Sequence, residues 1–100
     1  MNQAGLRILI VDDEAPARER LRALVEDGLG FVVAEARDGM EALETIGAKA
    51  VDVVLLDIRM PRMDGLEVAQ HVAKLENGPA VIFTTAYDQH ALAAFDAGAI

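Results

Sequence analysis

The sequence predicts an α/β domain built on a doubly wound parallel sheet. Three observations lead there. Four short apolar runs recur along the 100 residues: "LRILIV" (6–11), "FVVAEA" (31–36), "VDVVLL" (51–56) and "AVIFTT" (80–85). Three of them are nearly continuous in Val, Ile and Leu, as strands covered on both faces are. Segments with three-to-four apolar spacing follow each run, so the order is β-α-β-α-β-α-β-α. Such alternation builds right-handed crossovers around a parallel sheet.

Each element has its own justification. The first strand stops at the acids Asp12, Asp13 and Glu14. Pro16 suits the first turn of the helix that follows, where its missing N–H costs nothing. Ala17, Leu21, Leu24 and Val25 supply that helix's apolar stripe, and Gly28 and Gly30 end it. After the second strand, "DGMEALETIGA" (38–48) opens on Asp38 with Glu41 three residues later, a capping-box pattern. Met40, Leu43 and Ile46 form its stripe. After the third strand, "DGLEVAQHVAKL" (64–75) opens the same way on Asp64 and Glu67, with Leu66, Ala69, Val72 and Ala73 facing inward. The last helix, "DQHALAAFDAGA" (88–99), begins at Asp88, carries Leu92 and Phe95 and meets Gly98. The two "DG.E" openings share a capping solution and are not a repeat. Residues 1–100 form one domain without a linker or low-complexity tract. A four-stranded sheet leaves an exposed edge.

Composition narrows the function. With 53% hydrophobic and 26% charged residues, the chain can build a packed core. It has no cysteine, hence no disulfide framework and no thiolate metal site, which fits a reducing cytoplasm. "MNQAGLRILIVDDE" is not a signal peptide, because its apolar run is short and ends in acids. No stretch has membrane-spanning length. A formal net charge of −8 disfavours nucleic-acid binding by this segment and suits an acidic site that captures a cation.

In open α/β sheets ligands sit beyond the carboxyl ends of the strands, near the topological switch point. The first strand ends in Asp12 and Asp13, the third in Asp57, and the fourth in Thr84, Thr85 and Ala86. In the strand order 2-1-3-4 the first and third strands are neighbours, so Asp12, Asp13 and Asp57 converge beside a hydroxyl. Three carboxylates that close cannot all stay ionised unaided: one takes a proton or a cation sits among them. Oxygen ligands without His or Cys point to a hard cation, Mg²⁺ before Zn²⁺. A carboxylate beside Mg²⁺ can act as a nucleophile and form an acyl phosphate. A lone Asp after a strand is an ordinary turn residue. A double acid, an acid on the neighbouring strand and a hydroxyl on the next form a more specific constellation.

Other chemistries fit less well. The metal-binding strand of ATPases needs a Gly-rich loop ending in Gly-Lys-Ser/Thr, and none exists here. Phosphatases with a nucleophilic Asp carry a second Asp two residues later, where this chain has Arg59. His71 and His90 fall on predicted helix surfaces without a partner for a metal pair. Arg59 and Arg62 read as solvated loop arginines, and Met60 and Met63 as packing for that loop.

"ILIVDDE", "VVLLDIRMPRMDG", "TTA" and "DAG" occur in order and at characteristic spacing over essentially the whole chain. In this the sequence resembles the receiver domains of two-component response regulators. "EAPARERLRALVE", "DIRMP.MDGLEVA" and "AYDQHALAAF" are most similar to LytTR-type regulators, whose receivers precede a DNA-binding domain. The resemblance implies a flavodoxin-like (CheY-like) fold. It also implies that Asp57 is the phosphoacceptor and that Asp13 holds Mg²⁺ directly, with Asp12 acting largely through water. The backbone carbonyl of Arg59 would be a further Mg²⁺ ligand, and Thr85 the switch hydroxyl beside the small Ala86. Pro61 and Gly65 would shape the loop after Asp57.

One departure is expected. The family carries a Lys and a switch aromatic on a fifth strand, then a fifth helix. The only lysines here are Lys49 and Lys74, both in predicted helices. The expectation is therefore a receiver cut short before its fifth strand, with any DNA-binding output domain beyond residue 100. The resemblance further implies a cytoplasmic phosphorelay protein rather than a conventional enzyme. Its partner would be a sensor histidine kinase. Self-association would run through the 80–98 region or the open sheet edge. The alternative is a receiver-like interaction module without phosphoryl turnover.

Overall fold

The computed structural model describes residues 5–84. Thr85, Ala86, His90 and the expected helix 88–99 lie outside the described residues. Four parallel strands form one sheet: β1 (Leu6–Val11), β2 (Gly30–Ala36), β3 (Val53–Leu56) and β4 (Ala80–Phe83). Their order is β2-β1-β3-β4, as expected from the alternating pattern. Three helices connect them: α1 (Ala15–Leu24), α2 (Gly39–Ala48) and α3 (Gly65–Ala73). The expected third strand is two residues too long at its start: it begins at Val53, and Asp52 before it pairs its backbone with Arg7 and Ala80 while its carboxylate accepts from Arg7.

The pleat divides the core. Ile8, Ile10 and Val53 face the α1 side and pack with Val25 and the partly buried Leu21, Val32 and Leu55. Leu9, Val11, Val54, Leu56 and Val81 face the other side, with Ala42 of α2 and Val68, Ala69 and Val72 of α3. Leu9, Val54 and Leu56 are fully buried, each stabilising the fold by roughly 1.5–3 kcal/mol. Among the described residues one helix covers one face and two the other, and the strand order reverses between β1 and β3.

The helical stripes differ in detail from expectation. Leu24 is 62% exposed, because Val25, four residues after Leu21, takes the inward position instead. The chain then loosens into a wider π-type turn (Val25–Leu29), where Gly28 adopts φ +131°. Met40 is 57% exposed. The inward face of α2 starts at Gly39, whose missing Cβ leaves room for the Met63 side chain, and continues through Ala42. In α3 the buried positions are Gly65, Val68, Ala69 and Val72, while Leu66 is half-buried and Ala73 is exposed. Small residues let these helices approach closely, so hydropathy alone misplaces their faces.

The caps follow the sequence at α3 and half follow it at α2. Asp64 accepts from the Glu67 N–H (3.0 Å) while Glu67 accepts from the Asp64 N–H (3.1 Å), a complete capping box. Asp38 accepts from the Glu41 N–H, but the Glu41 carboxylate reaches one residue further back, to the Arg37 N–H (2.7 Å). Lys49 and Lys74 stand at the C-caps of α2 and α3 rather than inside them. The β1–β2 register skips Val33, and the Lys49 ammonium donates to that bulge carbonyl.

Candidate functional site

The ladders of the sheet run one residue past its strands. The Asp12 N–H donates to the Ala36 carbonyl (3.1 Å), the Asp57 N–H to Val11 (2.9 Å) and the Thr84 N–H to Leu56 (3.0 Å). Backbone pairing therefore fixes the first residue beyond β1, β3 and β4 at a common level. Asp12, Asp13 and Asp57 each offer a carboxylate oxygen there, all within 4.8 Å of one another. The sequence expectation that these acids meet is met among the described residues.

Their environments differ. Asp12 is 8% exposed, Asp57 half-buried and Asp13 exposed. Burial pushes the Asp12 carboxyl above the usual range. The Glu14 N–H, donating to Asp12 Oδ1 at 2.9 Å, opposes that rise, and the charges of Asp57, Asp13 and Glu14 add to it. The donor set is all oxygen and concentrated at one point. It fits a hard divalent cation such as Mg²⁺, which needs only one or two direct carboxylates. Asp12 and Asp13 with Asp57 would hold it.

The loop after Asp57 is tightly built. Ile58 and Met60 are buried in the core, whereas Arg59 is exposed. The Gly65 N–H closes the loop on the Ile58 carbonyl (2.7 Å). A Cβ on Gly65 would collide with the Asp57 carbonyl, so only glycine fits that approach. Arg62 adopts φ +68°, an unfavourable region for a residue with a Cβ. The Arg59 N–H donates to Asp57 Oδ1 at 3.3 Å. Arg62 is solvated, as expected, and Met63 packs against Gly39.

Sequence reasoning missed a polar brace behind the acids. Arg18 of α1 donates to the Asp12 carbonyl (2.8 Å) and to Glu35 of β2 (3.1 Å), and Arg22 donates to Glu35 at 2.7 Å. The available signal was two arginines at i and i+4 on α1, with an acid near the end of the neighbouring strand.

The parallel sheet in order β2-β1-β3-β4, with three acids at the carboxyl ends of its first and third strands, has the architecture of a receiver-type α/β domain. Residues 8–100 match the response regulator receiver domain family, and the chain belongs to that family. The positive alginate biosynthesis regulatory protein of Pseudomonas aeruginosa is 52% identical over 97 residues, 95% of this chain and 39% of its own length. The sensory transduction protein LytT of Bacillus cereus is 41% identical over 96 residues, again 95% of this chain and 39% of its own. The chain thus spans about two fifths of the length of these relatives. Among solved structures, the response regulatory domain of mrkE from Klebsiella pneumoniae superposes with a TM-score of 0.87 at 31% identity. That match covers 95% of this chain and 79% of the other. No helix among the described residues is long and apolar enough to cross a membrane.

Proposed function

We propose that this chain is the phosphoacceptor receiver of a two-component phosphorelay. The observation that carries the reading is the convergence of Asp12, Asp13 and Asp57 at the carboxyl ends of β1 and β3. An Asp57 carboxylate oxygen attacks the phosphorus of a phosphohistidine on a sensor histidine kinase. The O–P bond forms as the P–N bond breaks in line, and the imidazole leaves and takes up a proton. Asp12, Asp13, Asp57 and the Arg59 carbonyl would hold Mg²⁺, which would supply positive charge to the transferring phosphoryl oxygens. Positioning and charge neutralisation account for most of the rate.

Buried strands β1 and β3 support this by holding their acids on backbone hydrogen bonds rather than on flexible side chains. Thr85, outside the described residues, then donates to the phosphoryl group as the switch hydroxyl. The added charge shifts the domain between two states, and copies associate through the 80–98 region or the open sheet edge. The whole protein would be a cytoplasmic transcriptional regulator. Its DNA contacts would come from a LytTR-type output domain, in keeping with the acidic charge of this segment and its likeness to LytT.

A labelling experiment with a small phosphodonor in Mg²⁺ tests the reading. Wild type takes up one acid-stable, base-labile phosphoryl group, and Asp57→Ala takes up none. Equal labelling of both chains refutes it.

A further inference from the structure

We propose that Arg18 is a positioning residue for the cation site, setting Mg²⁺ affinity by holding the peptide between Asp12 and Asp13. The inference rests on the Mg²⁺ reading above and concerns how this chain shapes that site.

The Asp12–Asp13 peptide stands where β1 becomes a loop. Its chain arrives with the Asp12 N–H secured on Ala36 of β2. Beyond that point the strand pairing stops, and the Asp12 carbonyl receives the Arg18 guanidinium instead, Nη1 to O at 2.8 Å. A peptide unit is planar, so fixing this oxygen fixes the direction in which the chain enters Asp13. The two acids are aimed differently. The Asp12 side chain is tied to the Glu14 N–H, whereas Asp13 is exposed and takes its direction mainly from the backbone. The acid expected to touch the ion directly thus depends most on a peptide that Arg18 holds.

Arg18 suits the task. Its side chain is only 15% exposed, although no residue of α1 is fully buried. Its rigid planar fork spans two anchors: the loop carbonyl through Nη1 and Glu35 Oε1 through Nε. Glu35 sits on β2 opposite Ile10 of β1, so the brace refers the loop back to the sheet. Glu35 also offsets the Arg18 charge. Arg22, and Arg18 after it, hold the Glu35 carboxyl below its usual range, so it stays ionised beside them. A guanidinium can therefore stand behind a cation site without presenting it with an uncompensated positive charge.

Arg22 provides the control. It lies on the same helix, carries the same charge and binds the same Glu35, yet its hydrogen bonds go to Glu35 and Glu26, not to the Asp12–Asp13 peptide. A merely structural or electrostatic role predicts equal behaviour of the two arginines. A positioning role predicts a difference.

The experiment is a MgCl₂ titration of wild type, Arg18→Met and Arg22→Met, followed by the amide NMR shifts of Asp12 and Asp13, with thermal melts alongside. Methionine keeps the aliphatic stem and removes the donors. Both variants should lose some thermal stability. Arg18→Met should raise the Mg²⁺ Kd about tenfold, the lower end of what loss of a ligand-orienting partner costs. Arg22→Met should stay within about twofold of wild type, well below that loss. Unchanged or tighter binding by Arg18→Met overturns the inference, and so does an equal shift in both variants. If Arg18→Met does not fold, Arg18→Lys takes its place: one ammonium cannot span both anchors, so Kd should still rise, and wild-type affinity overturns the inference. A wild type that binds no Mg²⁺ refutes the cation reading itself, whereas normal wild-type binding with an indifferent Arg18 refutes only the role of Arg18.

Discussion

Asp12→Asn should make the metal-free chain more stable and its response to Mg²⁺ weaker. Asp12 faces two like charges, with carboxylate oxygens within 4.8 Å. At that separation one pair repels by about 0.9 kcal/mol in water and about 3.5 kcal/mol at an effective dielectric near 20. Asp13 is exposed and Asp57 half-buried, so the water end of the range governs. With ionic screening, the relief is about 1–2 kcal/mol. The Asp12 carboxyl is raised by burial, which has the same sign: the fold disfavours its charged form, so at neutral pH removing the charge stabilises. Asparagine keeps an acceptor for the Glu14 N–H. The gain corresponds to a Tm rise of about 5–10 °C for a domain of this size. The assay is a pair of thermal melts, one in EDTA and one in excess MgCl₂. In EDTA the variant melts higher. In Mg²⁺ the wild type gains about 2.7 kcal/mol at a hundred times its Kd, the variant gains less, and the gap closes. A variant that melts at or below wild type in EDTA refutes the electrostatic argument, and equal Mg²⁺ stabilisation of both chains refutes a part for Asp12 in binding the ion.

Two further outcomes follow from the geometry. Arg62→Gly should stabilise by about 0.5–1 kcal/mol: it relieves about 1–2 kcal/mol of strain at φ +68° and costs part of that in unfolded-state entropy. A lower urea midpoint in the variant counts against strain at that turn. Asp52, whose carboxyl the Arg7 side chain and N–H pull from 3.8 to about 2, should contribute an acid-sensitive stability. Its folded pKa lies below its unfolded one, so the contribution is full above 3.8 and is lost as pH falls through about 2. The difference in urea midpoint between wild type and Asp52→Asn should therefore shrink across that window, and a pH-independent difference would sink the assignment.

Much of the fold and the centre of the site were legible in the sequence for one physical reason. Buried parallel strands need continuous apolar runs, and the pairing that aligns them also aligns whatever follows. Asp12 and Asp57 are each the first residue past such a run, so strand order alone brought them together. What was not legible depended on small residues or on distant partners. Gly39, Ala42 and Gly65 face inward because they lack bulk, which an apolar stripe does not register. The Val33 bulge leaves no trace in hydropathy. The Arg18–Glu35 brace needed the position of α1 over β2, which periodicity does not supply. Thr85 lies outside the described residues, so its expected role remains a sequence argument.

Two unfavourable features of the fold lie beside Asp57. Like charges face one another, and Arg62 is held at positive φ. Each costs stability in the metal-free chain, and such strain persists only where surrounding structure over-determines it. The over-determination is visible on both sides of the loop. Ile58 and Met60 are driven into the core, Met63 fills the space above Gly39, and Asp64 is locked by the capping box of α3. Thus the loop cannot relax by moving away, and the repulsion among the acids stays concentrated at one point. A bound cation lowers that repulsion without rearranging the backbone, and neutral side chains would remove the same driving force. The charge that sets these acids against one another is what would draw a cation to them.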